Sequence, residues 1–281
     1  SPDVMAKWIS ENIGHPKVLE ARQSLVFAYL NVTRRQAAPR GDATLSEADL
    51  KALAAAAELV AKLKGSVDIT AVVHGLSTHF KNHYFERGAR AAAIDGLKRL
   101  VPLEAPVQRA NLMITVLDLQ RQLALEDLKL AVVAGSVPLA TSPMPASLQA
   151  VADTADLINK DYPAKAAWSI QAELANHVLD HTRSVPWPSK IMTPKAAHGW
   201  ALSLAVRVLQ SSNDLKSLEV ANAAVERVVT ELSAITQPSA AGLAASTHEL
   251  LFLDVEVKSK SWIRIALRQL DLTIADANRH F

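Results

Sequence analysis

Residues Val72–Arg87 read VVHGLSTHFKNHYFER, and residues Ser169–Arg183 read SIQAELANHVLDHTR. Each stretch carries two histidines one helical turn apart, His79 with His83 and His177 with His181, and the second pair follows the first by a constant 98 residues. Side chains at i and i+4 leave the same face of an α-helix, so the spacing predicts a helix through each pair. The match continues upstream without a gap: Leu50 falls on Leu148, Leu53 on Val151, Leu59 on Leu157, Val60 on Ile158 and Leu76 on Leu174. These apolar positions read as core, and the expectation is one helical unit present twice.

Working outward, prolines and glycines punctuate the rest of the chain into further helices. Pro2–Ile13 ends at Gly14, and Lys17–Gln36 starts after Pro16. Ser46 has the character of an N-cap, with Asp49 three residues on as the acidic partner of a capping box. The helix it opens runs to Lys64 before Gly65, and the first histidine helix follows, with Gly88 to bend or end it. Pro106 opens a long helix to Ala134, and Gly135, Pro138, Pro143 and Pro145 mark the strongest boundary. Helices are then expected over 147–160, 164–183, 194–210 and 214–236, with the Pro186-Trp187-Pro188 loop among them. Leu250–Val257 alternates in a strand-like way, but Ile263, Leu267, Leu270 and Ile274 restore helical spacing, so the tail is read as helix. No strict tetratricopeptide, ankyrin or HEAT signature is present.

The fold class expected is therefore all-α: antiparallel helical hairpins in a duplicated bundle or short α-solenoid, with about ten helices. Residues 1–44 would hold the N-terminal helices and a loop, 45–135 and 145–236 the two repeats, and 237–281 the C-terminal helices, in a chain that also suits one continuous domain.

Composition agrees with that class and removes several chemistries. With 281 residues the chain can bury a full core. Only 9 glycines and 5% aromatic residues favour helix over sheet. The absence of cysteine rules out disulfides, thiolate metal sites and thiol nucleophiles. Thirty basic residues against 28 acidic ones leave a formal charge of +2, which is no polyanion-binding excess. Charges interrupt every apolar run, so no membrane insertion is expected. The Ser1-Pro2-Asp3 start reads as a processed or trimmed end of a soluble protein, in a compartment the sequence does not specify.

Three groups of residues are candidates for function. His79, His83, His177 and His181 form two i, i+4 pairs of the kind that hold Zn²⁺, Cu²⁺ or Ni²⁺ when further ligands converge, or that serve a haem. No HExxH sequence accompanies them, and a solvated or half-buried helix face explains them without a cofactor. Lys81, Arg87, Arg90, Lys98 and Arg99 gather basic charge near Tyr84, which suits a nucleic-acid backbone; interleaved Glu86 and Asp95 suit an ordinary solvated face. Trp187, between two prolines, is placed to dock a protein partner, while Trp8, Trp168, Trp200 and Trp262 read as core anchors. The loop before Ser46 also spells Arg40-Gly41-Asp42, an integrin-type tripeptide whose three letters carry little information by themselves. No Walker A, GxGxxG or GxSxG motif is present. The function expected is a non-enzymatic scaffold or adaptor that binds another macromolecule, a protein first. A metal- or haem-binding helical protein and a nucleic-acid-binding module are the alternatives.

Overall fold

Punctuation by proline, glycine and capping residues places the helix ends within a residue or two of expectation. The computed structural model describes residues 1–37, 39–63, 69–133, 144–162, 165–183 and 195–235, which hold ten α-helices and no strand. They are α1 (Pro2–Glu11), α2 (Val18–Arg34), α3 (Glu47–Leu63), α4 (Thr70–His79), α5 (Arg90–Leu100), α6 (Pro106–Val133), α7 (Ala146–Asp161), α8 (Lys165–Arg183), α9 (Lys195–Ser211) and α10 (Leu215–Ile235). The chain is all-α, and no helix among the described residues is long and apolar enough to cross a membrane. Trp187 and the tail beyond residue 235, with Trp262, lie outside the described residues.

Two compact units divide the chain, Ser1–Leu119 and Gln120–Phe281, and the division falls within α6. In the first unit α1 packs on α2, α2 on α3 and α4, and α4 on α5. Leu30, Leu59, Leu76, Phe80, Leu97 and Leu100 are fully buried there. Two glycines permit the close approach of rings: a Cβ on Gly75 would lie 2.6 Å from the Phe27 ring, and one on Gly96 would lie 2.8 Å from the Phe80 ring. In the second unit α7 packs on α8, and α8, α9 and α10 pack on one another around Leu174, Leu179, Leu204 and Val208. Polar side chains lock that trio. Gln171 Nε2 donates to the Leu204 carbonyl at 3.1 Å, and Asn176 Nδ2 donates to the Val220 carbonyl at 3.0 Å.

The first histidine helix does not run on as an α-helix. After α4 the residues Phe80–Phe85 form a π turn, with the Glu86 N–H donating to the Lys81 carbonyl five residues back at 2.9 Å. Gly88, at φ +95°, ends it: Gly88 N–H donates to the Phe85 carbonyl and Ala89 N–H to the Tyr84 carbonyl, the two bonds of a Schellman stop. A side chain at that φ would be strained, which explains the glycine.

Burial offers a second register for the internal match. Buried Asp49, Ala52, Leu53, Ala55, Ala56 and Leu59 of α3 correspond to buried Leu148, Val151, Ala152, Thr154, Ala155 and Ile158 of α7 at a shift of 99 residues. In the same register Val72, Val73, Leu76, His79 and Phe80 correspond to buried Gln171, Ala172, Ala175, Val178 and Leu179. At the shift of 98 that aligns the histidines, Leu53 with Val151 and Leu76 with Leu174 pair buried with buried, but Leu50 with Leu148 and Leu59 with Leu157 pair exposed with buried. Leu50 and Leu157, read as core, are 43% and 46% exposed. One residue of shift turns a helix by about 100°, enough to move a side chain from the core to the surface. Trp8, also read as a core anchor, is 36% exposed, whereas Trp168 and Trp200 are buried.

Candidate functional site

Asp49 sits at the third position of α3, where it completes the capping box that the sequence announces. Its backbone N–H donates to Ser46 Oγ at 3.1 Å, and the Ser46 backbone N–H donates to Asp49 Oδ2 at 3.2 Å. Most capping-box acids face water; this one is wholly buried. Its carboxylate instead collects donors from three helical segments. Oδ1 accepts from Thr33 Oγ1 of α2 at 3.0 Å and from His79 Nε2 at the end of α4 at 2.8 Å. Oδ2 accepts from Ser46 Oγ at 2.6 Å and from the Tyr84 hydroxyl in the π turn. Tyr84 Oη in turn accepts from the Ser46 N–H at 3.0 Å. A carboxylate offers about four lone-pair sites, so Asp49 is saturated.

The π turn makes this arrangement geometrically available. His79 and Tyr84 are five residues apart, which an α-helix would place about 140° apart around its axis. Bonds from i to i+5 widen the turn and bring residues five apart onto one face. Both donors thereby reach the same carboxylate. His83 lies alongside, its ring centroid 5.0 Å from that of His79 with the rings 16° from parallel.

Electrostatics follow from this packing. Burial alone pushes the Asp49 carboxyl up, yet the hydrogen bonds from His79, Ser46 and Tyr84, with the attraction of His79, outweigh it and hold the group at about 2. Tyr84 moves the other way, pushed up to about 12 by burial and then by its bond to Asp49, and so remains a phenol donor. Burial first, then His79, with Arg87 and Arg34 adding to it, lowers the His83 imidazole. Because Asp49 is acceptor-only, His79 carries its proton on Nε2; its Nδ1 and His83 Nε2 are buried with no hydrogen-bond partner among the described residues.

A pH dependence results. The folded value of about 2 lies below the ordinary 3.8, so Asp49 adds stability above about pH 4 that is lost as the pH falls to about 2. The loss is expected to be roughly 2 kcal/mol. Urea unfolding across that range should show a steeper fall for the wild-type chain than for Asp49→Asn; equal slopes would remove the assignment.

The remaining sequence candidates are placed as follows. His79 and His83 lie in the first unit, committed to or stacked beside the Asp49 network. His177 is half-buried on α8 in the second unit, and the side chain of His181 lies outside the described ones. Among the described residues no three His, Asp or Glu side chains are grouped so as to hold a metal ion. Of the basic residues, the Arg90 guanidinium lies over the Phe85 ring at 5.1 Å and Arg99 pairs with Asp95 at 2.9 Å. Arg87 and Lys98 are exposed and Lys81 is half-exposed. Thr33 carried no functional role in the sequence, while Asp49 was read only as a capping acid and Tyr84 only as an aromatic beside the basic residues. The one available signal was Asp49 itself, a capping acid on the same helix face as Ala52, Leu53 and Ala56.

No protein-family model matches the chain, and no curated protein does. Among solved structures, one described as "Computational Design of Self-Assembling Cyclic Protein Homooligomers" is similar at 16% identity, covering 96% of this chain and 88% of that one, with a TM-score of 0.21. Likeness at that level carries no argument about fold or function.

Proposed function

We propose that the chain is a non-enzymatic helical adaptor that binds another protein through the surface of α1, α2 and α3. The observation that carries this reading is where polar and apolar groups lie. The Asp49–His79 pair, which has the geometry of an acid–base dyad, is shut away from solvent, with both side chains at 0% exposure. A substrate cannot reach it, and its role is to fix three helical segments together. Among the described residues, large apolar side chains are by contrast exposed at Val4 (69%), Trp8, Ile13 (65%), Phe27 and Leu50 within the first fifty residues, and at Leu157 beyond them. Exposed apolar side chains on successive packed helices offer protein partners a docking face. α1 packs on α2 and α2 on α3, so the three helices that carry Val4, Trp8, Phe27 and Leu50 are successive neighbours. The matched buried faces of α3–α4 and α7–α8 support construction by duplication.

Photo-crosslinking tests this. A benzophenone amino acid at Val4 or Leu50 should trap one protein that the same group at exposed His74 does not. Val4→Asp/Leu50→Asp should abolish the product while changing stability by no more than about 0.5 kcal/mol, as surface substitutions do. Equal labelling at all three positions would sink the reading.

A further inference from the structure

Beyond that surface, the loop ahead of α3 holds a second recognition element. We propose that Arg40-Gly41-Asp42 is a presented ligand for an integrin-type receptor, one that offers a divalent cation to the Asp42 carboxylate and an acidic pocket to the Arg40 guanidinium. What three letters lack, the geometry supplies. The Ala43 N–H donates to the Arg40 carbonyl at 3.2 Å, which closes Arg40–Ala43 into a β-turn. Gly41 occupies the second position at φ +58°, a value found in the primed turn types and reached easily only by glycine. Arg40, Gly41 and Asp42 are all exposed, and neither charged side chain is bonded or ion-paired to another described residue. The two charges thus leave the turn on either side of a residue with no side chain, free to engage separate sites.

The turn is also held in place. Pro39 restricts the backbone on one side. On the other, Leu45 is buried and the Ser46 N–H is fixed by both Asp49 and Tyr84. A pre-organised turn loses less entropy on binding than a flexible peptide does. The recognition chemistry is complementary on both sides: a carboxylate oxygen is a natural ligand for a hard divalent cation, and a guanidinium forms paired hydrogen bonds with a carboxylate. This element is independent of the Val4–Leu50 surface, and each can fail without the other.

The test uses the full chain immobilised against a purified ectodomain of an integrin that binds Arg-Gly-Asp peptides, in Mn²⁺. Asp42→Glu keeps the charge and moves it by one methylene. It is expected to lower affinity by at least about thirtyfold, the scale for mispairing a desolvated charge, with the helical circular dichroism unchanged. Binding should vanish in EDTA, be competed by a linear Gly-Arg-Gly-Asp-Ser peptide, and persist in Val4→Asp/Leu50→Asp. No binding by the wild-type chain, equal binding by Asp42→Glu, or binding that survives EDTA overturns the proposal.

Discussion

Asp49→Ala is expected to destabilise the chain by about 3–5 kcal/mol, measured as a drop in the free energy of urea unfolding. The magnitude comes less from the bonds lost than from what is stranded. His79 Nε2, the Tyr84 hydroxyl and the Thr33 hydroxyl all donate to that carboxylate in a region closed to water. A buried donor without an acceptor carries its whole desolvation penalty. The second unit suggests the compensating change, because Leu148 and Val178 occupy the positions that correspond to Asp49 and His79 and are fully buried. Asp49→Leu combined with His79→Val should therefore be less destabilised than the two single variants summed, by about 1–3 kcal/mol. Strict additivity would mean that the two side chains do not act as a pair.

Phe80→Ala is the second large expected effect, a loss of about 3–5 kcal/mol for emptying a fully buried ring site. Its diagnostic partner is Gly96. In the wild-type chain a Cβ at Gly96 would meet the root of the Phe80 ring at 2.8 Å, so the ring has no easy retreat. Overpacking of that kind costs about 1–3 kcal/mol, against a gain of about 1 kcal/mol for replacing glycine with alanine inside a helix. Gly96→Ala should thus be neutral to destabilising alone. With Phe80→Ala the obstruction is gone and the helix gain of about 1 kcal/mol should appear as stabilisation. Thermal unfolding of the four combinations reads this directly, and the same sign in both backgrounds would show that the glycine is not there for the ring.

Helix content and helix ends were legible because each depends on nearby residues. Ser46 with Asp49, Pro106 at the head of α6 and Gly88 after the π turn all mark ends through chemistry that acts within a few positions. The destination of Asp49 was not legible. Its partners Thr33, His79 and Tyr84 come from segments brought together by packing, and a capping acid reads the same in sequence whether its face is wet or dry. The π turn was equally hidden, since a hydrogen bond from i to i+5 leaves no mark in composition. Buried positions were hidden too: the letters of the two histidine stretches match at a shift of 98, whereas the buried positions of α3–α4 and α7–α8 match at 99.

The π turn also acts as a measuring device on the chain. Between His79 and Tyr84 the backbone takes five steps to make the circuit that an α-helix completes in just under four. Both ends of that interval grip the same carboxylate. The interval is therefore fixed to a single residue count: a residue removed or added there re-aims the tyrosine away from Asp49. The connection between α2 and α3, outside its Arg40–Ala43 turn, answers by contrast only to the requirement that Ser46 arrive at its cap. Variation in length is cheap in one place and forbidden forty residues later, and the difference is set by one buried negative charge.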